Sequence, residues 1–89
     1  MNRFREQLQK GGVFLSDGAM GTYLHSKGVD FDDCFDLLNL TRPDVIRAIH
    51  REYIEAGSDI IQTNTFGANR CKLHRFGLVE RLAEINRAG

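Results

Sequence analysis

The chain has 89 residues, 42% apolar and 27% charged, with 12 Lys+Arg balancing 12 Asp+Glu. This composition excludes a disordered or low-complexity chain, and zero net charge disfavours a nucleic-acid binder, which carries a basic surplus. No apolar run approaches the roughly 20 residues of a membrane span, and the charged stretch 1–12 lacks the apolar core of a signal peptide, so the cytoplasm is the expected setting. Cys34 and Cys71 stand far apart without a CxxC partner, which suits reduced thiols better than a disulfide.

Residues 2–9 read as a short helix, capped by Asn2, with Phe4 and Leu8 as an i, i+4 apolar pair and Gly11-Gly12 as its stop. Val13-Phe14-Leu15 is a short continuous apolar run that suits a strand buried on both faces, ended by Asp17-Gly18. Residues 21–27 allow a helical turn or two, closed by Gly28. The acidic stretch 29–36 reads as a loop. The apolar patch Phe35, Leu37, Leu38 and Leu40 then needs a surface to pack on. Thr41 and Asp44 have capping-box spacing with Pro43 in the first turn. Val45, Ile46, Ile49, Tyr53 and Ile54 recur at helical spacing, and Gly57 stands where a left-handed cap wants glycine. These signals predict a helix over 43–56. Residues 59–66, β-branched and mostly apolar, predict a second strand. Residues 69–76 and 79–88 read as helical, broken at Gly77.

Strand, crossover helix, strand implies a parallel pair with a right-handed connection. Two parallel strands need neighbours on both edges and helices on both faces. The expectation is therefore an α/β chain that forms the N-terminal fragment of a (β/α)8 TIM barrel, its first two strands and their helices, since the whole barrel takes roughly 250 residues. The last predicted helix also reaches the chain end uncapped, so the chain is expected to stop in mid-domain.

In parallel α/β folds ligands gather at the carboxyl ends of strands. The first strand ends Ser16-Asp17-Gly18-Ala19 and the second Gln62-Thr63-Asn64-Thr65, and topology puts both on one face. A carboxylate at Asp17 can hold an ammonium group, and glycine beside it lets backbone N–H groups approach a ligand carboxylate. The alternative is that Asp17 caps the next turn and Gly18 only shapes it. Thr63 and Asn64 offer hydroxyl and amide groups to a ligand or to neighbouring loops. The D-G-A-M-G segment lacks both G-x-G-x-x-G and G-x4-G-K-[ST], so it is a weak phosphate loop. His25, His50 and His74 share no ligand spacing, and the two cysteines make no zinc motif. His50, inside the helix, reads as structural; His25 and His74 read as solvent-facing.

Asp17-Gly18-Ala19-Met20-Gly21-Thr22, then Leu38-Asn39-Leu40-Thr41-Arg42-Pro43, then the run from Ala56-Gly57-Ser58-Asp59 through Thr63-Asn64-Thr65 to Gly67-Ala68-Asn69, resemble the start of the homocysteine S-methyltransferase family. Three separated motifs agree in order and spacing, over nearly the whole chain. The closing pattern, from Lys72-Leu73 to Ile85-Asn86, is most similar to two branches. The preferred one is the bifunctional homocysteine methyltransferase/methylenetetrahydrofolate reductase; the other is the N-terminal module of cobalamin-dependent methionine synthase. The resemblance implies the barrel, homocysteine as substrate, and zinc that binds its sulfur through cysteines of later strands, beyond Gly89. It implies that Asp17 meets the substrate ammonium, that the Gly18 and Ala19 amides meet its carboxylate, and that Thr63 and Asn64 line the same pocket. Neither Cys34 nor Cys71 matches a zinc-ligand position, so this chain alone is expected to be inactive. Methyltetrahydrofolate and methylcobalamin are candidate methyl donors, with folate, reductase or cobalamin domains as downstream partners, and no residue here selects among them. A rival from another class is a non-catalytic small α/β module that binds a ligand or a partner chain.

Overall fold

A computed structural model describes residues 3–89, which form six short α-helices joined by turns and two 3-10 segments. Helix α1 is Arg3–Lys10, α2 Gly21–Ser26, α3 Leu38–Thr41, α4 Pro43–Glu55, α5 Arg70–His74 and α6 Leu82–Ala88. The 3-10 segments, Phe35–Leu37 and Val79–Arg81, lead into α3 and α6. The proposed Asn2 cap of α1 lies outside the described residues.

The expected pair of strands, and with it the opening of a (β/α)8 TIM barrel, is not what the chain forms. Among the described residues the β pairing is a single parallel bridge, Ser16 to Ile60. The backbone bonds there are Asp17 N–H to the Ile60 carbonyl (2.9 Å) and the Asp59 and Ile60 N–H groups to the Leu15 carbonyl (2.7 and 3.1 Å). Beyond them the partners change. The Leu15 N–H donates to the Asp59 carboxylate (3.0 Å), and the Gln62 N–H to the Asp17 carboxylate (3.1 Å). Side-chain oxygens thus take the places where ladder carbonyls would stand. The Thr65 N–H turns back to the Thr63 carbonyl (2.9 Å), so the β-branched run bends instead of propagating. The burial expected on both strand faces fails with it: Val13 is 95% and Phe66 93% exposed. A lone parallel pair has no second edge and no covering layer, so propensity has nothing to pack against.

The apolar side chains collect in two small cores. In the first, Leu24, Ile46 and Ile49 are buried, with Met20, Tyr23, Phe35, Leu38 and Tyr53 packed around them. In the second, Ala68, Leu73 and Ile85 are buried, with Leu37, Leu40, Leu78, Val79 and Leu82 around them. The patch 35–40 therefore serves both: Phe35 and Leu38 face one core, Leu37 and Leu40 the other. Helix α1 buries nothing, and its Phe4 ring touches Phe14 at 5.6 Å. The Cα radius of gyration, 14.9 Å, exceeds the about 12 Å of a compact domain of this length, as two cores and an unpacked helix require.

Helix boundaries follow local chemistry with one exception. Gly57 takes φ 113°, and the Ser58 N–H reaches the Tyr53 carbonyl at 3.0 Å, a left-handed closure of α4. Asn69 caps α5 by accepting the Lys72 N–H at 2.9 Å. The capping box expected from Thr41 and Asp44 does not form. Arg42 is the N-cap of α4, and its side chain does not cap the helix. The Thr41 hydroxyl bonds back to the Leu37 carbonyl, while Asp44 pairs with the Arg42 guanidinium at 3.2 Å. Thr41 ends α3, and a residue closing one helix is not free to cap the next.

Ile49 is fully buried, so Ile49→Ala should lower the unfolding free energy by about 2–4 kcal/mol, a lost side chain plus a cavity. Urea unfolding followed by circular dichroism checks this, and a change below about 1 kcal/mol would mean that the first core is not formed.

Candidate functional site

An open cleft of about 480 Å³ lies between the residues that follow the bridge and the turns 31–36 and 66–67. Asp17, Gly18, Thr63 and Asn64 all border it, so the structure brings together four of the five residues singled out in the sequence. Ala19 is not among the lining residues; its carbonyl accepts the Tyr53 hydroxyl at 2.6 Å.

Asp17 is half-buried. One carboxylate oxygen accepts the Gln62 N–H and the other the Ser16 hydroxyl at 3.3 Å. A carboxylate has room for about four hydrogen bonds, so Asp17 retains acceptor capacity at the cleft while its orientation is set from the second segment. The neighbouring Gly18 is crowded: an added Cβ would stand 3.2 Å from the Tyr53 hydroxyl, closer than ordinary contact. Thr63 is exposed, with its hydroxyl 2.8 Å from that of Thr65. Asn64 is 6% exposed, and its side-chain amide donates to the Phe35 carbonyl and to the Asn39 side chain, both at 2.9 Å. Its two donors are thus occupied within the fold. It shapes the cleft wall from behind.

Sequence reasoning missed Asp36, placing it at the edge of an irregular loop. It is buried, at 7% exposure, borders the cleft and accepts the Gly67 N–H at 3.3 Å. The available signal was a lone acid inside the apolar run Phe35-Asp36-Leu37-Leu38, which a helix or turn must bury with its neighbours. Gly67 is required beside it, since an added Cβ would stand 2.5 Å from the carboxylate. Also missed were the apolar walls, Met20, Phe31, Phe35, Phe66 and Phe76, and the cations Lys72 and Arg75 at the border. The cleft therefore carries carboxylates, cations and phenyl rings together, a lining that suits a small zwitterion with an apolar chain.

His25 stacks on Phe31 at 3.9 Å and bonds the Val29 carbonyl through Nδ1 at 3.0 Å; it shapes the 25–31 turn, although it is exposed. Zinc, which the family resemblance implies, does not fit the side chains present: no group of three His, Cys, Asp or Glu converges among the described residues. Cys34 is half-buried at the cleft and Cys71 exposed on α5.

Burial pushes the Asp36 carboxyl above its ordinary value of 3.8, outweighing the opposing Gly67 N–H. The folded chain thus holds this proton more tightly than the unfolded one. The associated stability is complete below the ordinary value and is lost as pH rises through the raised one. Asp36→Asn should abolish that segment of the pH dependence, seen as a flatter difference curve in urea unfolding at successive pH values just above 3.8. Parallel curves for the two proteins would show that Asp36 does not titrate in a buried site.

Residues 14–89 match the homocysteine S-methyltransferase family. The chain is 42% identical over 83 residues to a methionine synthase of Mycobacterium tuberculosis, and 41% over 83 residues to that of Mycobacterium leprae. Each alignment covers 86% of this chain and 7% of the relative, so the chain spans a small part of the length of the relatives it matches. With the match covering all but the first 13 residues, the chain belongs to the homocysteine S-methyltransferase family.

Proposed function

We propose that this chain holds the amino-acid end of homocysteine for methylation of its sulfur to methionine. The observation that carries the reading is the Asp17 carboxylate, fixed at the cleft by the Gln62 N–H beside Gly18 and Thr63. Asp17 takes the substrate ammonium, as a charge-assisted hydrogen bond. The Gly18 amide takes its carboxylate at the cleft, with the Ala19 amide next to it along the turn and Lys72 and Arg75 supplying positive charge at the same border. Thr63 lines the pocket with its hydroxyl, and Asn64 braces it. Phe31, Phe35 and Phe76 form the wall along which the two methylene groups and the sulfur lie.

Methylation needs the sulfur as a thiolate, whose electron pair forms the new S–CH3 bond while the donor departs with the pair of the broken one. In the complete protein zinc would supply that activation from residues outside those described here, and methyltetrahydrofolate or methylcobalamin would be the donor, carried by folate or cobalamin domains. Neither is built from the residues described here, so the 89-residue chain by itself binds without methylating. No helix among the described residues is long and apolar enough to cross a membrane, and we place the protein's work in the cytoplasm. The rival reading, a non-catalytic module for another ligand or a partner chain, has no separate observation in its favour.

Titration of the 89-residue chain with homocysteine, followed by NMR, should shift the amides of Asp17, Gly18 and Thr63. Asp17→Asn, which keeps shape and removes charge, should weaken binding about 10-fold or more, as expected for a charged hydrogen bond worth about 1.5–3 kcal/mol. Shifts confined to other regions, or an unchanged affinity in Asp17→Asn, would exclude this site.

A further inference from the structure

The Asp17–Ala19 turn rests on one side chain whose hydroxyl touches it twice. The Tyr53 hydroxyl donates to the Ala19 carbonyl at 2.6 Å. The same phenol lies against Gly18, so that a Cβ there would meet its oxygen at 3.2 Å and its ring at 3.5 Å. One contact fixes the Ala19–Met20 peptide; the other crowds any side chain at Gly18. The ring is itself held. It packs on the Leu24, Ile46 and Ile49 core and meets Tyr23 edge-on at 5.7 Å and 78°. Tyr23 is fixed in turn, its hydroxyl donating to the Glu52 carboxylate, which also takes the Lys27 ammonium at 3.1 Å. Tyr53 and Glu52 are neighbours on α4, so the helix carries a braced phenol directly under the turn.

We infer that Tyr53 is a positioning residue for the amino-acid-holding turn. By holding the Ala19 carbonyl it fixes the plane of the Ala19–Met20 peptide, and its phenol packs beside Gly18 where the backbone borders the cleft. The inference rests on the homocysteine reading only for the identity of the ligand; the mechanical link between Tyr53 and residues 18–19 stands apart from it. Tyr53 does not line the cleft, so it acts through the backbone and not on the ligand.

Tyr53→Phe keeps the ring and removes the hydroxyl. In the ligand-free 89-residue chain it should lower the 15N order parameters of Gly18, Ala19 and Met20, from about 0.85 toward the 0.6 of a flexible segment, with Ile49 unaffected. Gly18→Ala should disturb the same amides, and less so in the Tyr53→Phe background, because the oxygen it meets is gone; non-additivity of that kind reports direct coupling. Homocysteine affinity should fall about 3- to 10-fold in Tyr53→Phe, the loss of one neutral hydrogen bond. Unchanged order parameters at residues 18–20, or strictly additive effects of the two substitutions, would overturn the inference. Failure of the unaltered chain to bind homocysteine would overturn the proposed ligand instead, and the order parameters would still decide the role of Tyr53. Should Gly18→Ala fail to fold, the single substitution Tyr53→Phe carries the test.

Discussion

Two buried asparagines hold the halves of this chain together. Asn39, at 4% exposure, and Asn64, at 6%, exchange hydrogen bonds: the Asn39 amide donates to the Asn64 backbone carbonyl at 2.8 Å, and the Asn64 amide to the Asn39 side-chain oxygen at 2.9 Å. Each then reaches one residue further, Asn39 to the Ile85 carbonyl at 3.2 Å and Asn64 to the Phe35 carbonyl at 2.9 Å. An unpartnered buried amide costs about 1–3 kcal/mol, so neither residue can be withdrawn without leaving the other exposed to that penalty. The pair ties α3 to the turn after the bridge and to α6, and so registers the two apolar cores against each other.

The cleft follows from that registration. With residues 64–67 fixed against 35–39, the Asp36 carboxylate meets the Gly67 N–H, and the phenyl rings at 35 and 66 come to border the same space as Asp17 and Gly18. The wall of the cleft is therefore made largely of groups already committed to folding. Asp17 and Thr63 keep polar capacity at its edge, while Asn64 and Asp36 stand behind them. Zwitterion chemistry at such an edge needs little beyond one oriented carboxylate, nearby positive charge and an apolar wall.

The helices were legible because their signals are local. The 3.6-residue recurrence of Val45, Ile46, Ile49 and Tyr53 and the stops at Gly57 and Gly77 need no distant partner to act. The strands were misread for the opposite reason. Val13-Phe14-Leu15 and residues 59–66 have the composition of buried strands, but burial depends on neighbours that periodicity within a segment does not specify. The capping box at Thr41 failed through competition between two adjacent helices for one hydroxyl. Four of the five residues expected at a site border one cleft because the ends of the two apolar runs converge even when the runs pair at a single bridge. Asp36 escaped because its environment is made by residues 31 positions away, at Gly67. Tyr53 was read as core from its spacing, and its spacing says nothing of where its hydroxyl points.

The Asp17–Gln62 hydrogen bond joins two properties that are usually separate. The carboxylate that closes the segment pairing is the same one that stands at the cleft, so any cation bound there shares its lone pairs with a backbone amide. Occupancy of the cleft and closure of the two segments then belong to one thermodynamic cycle, and the free energy by which either favours the other is the same in both directions. The Gln62 N–H sets the direction of the carboxylate and leaves it lone pairs for a second partner, so whatever loosens the pairing also loosens the orientation of Asp17 at the cleft. The bearing of the cleft's carboxylate therefore depends on how firmly residues 15–17 hold residues 59–62.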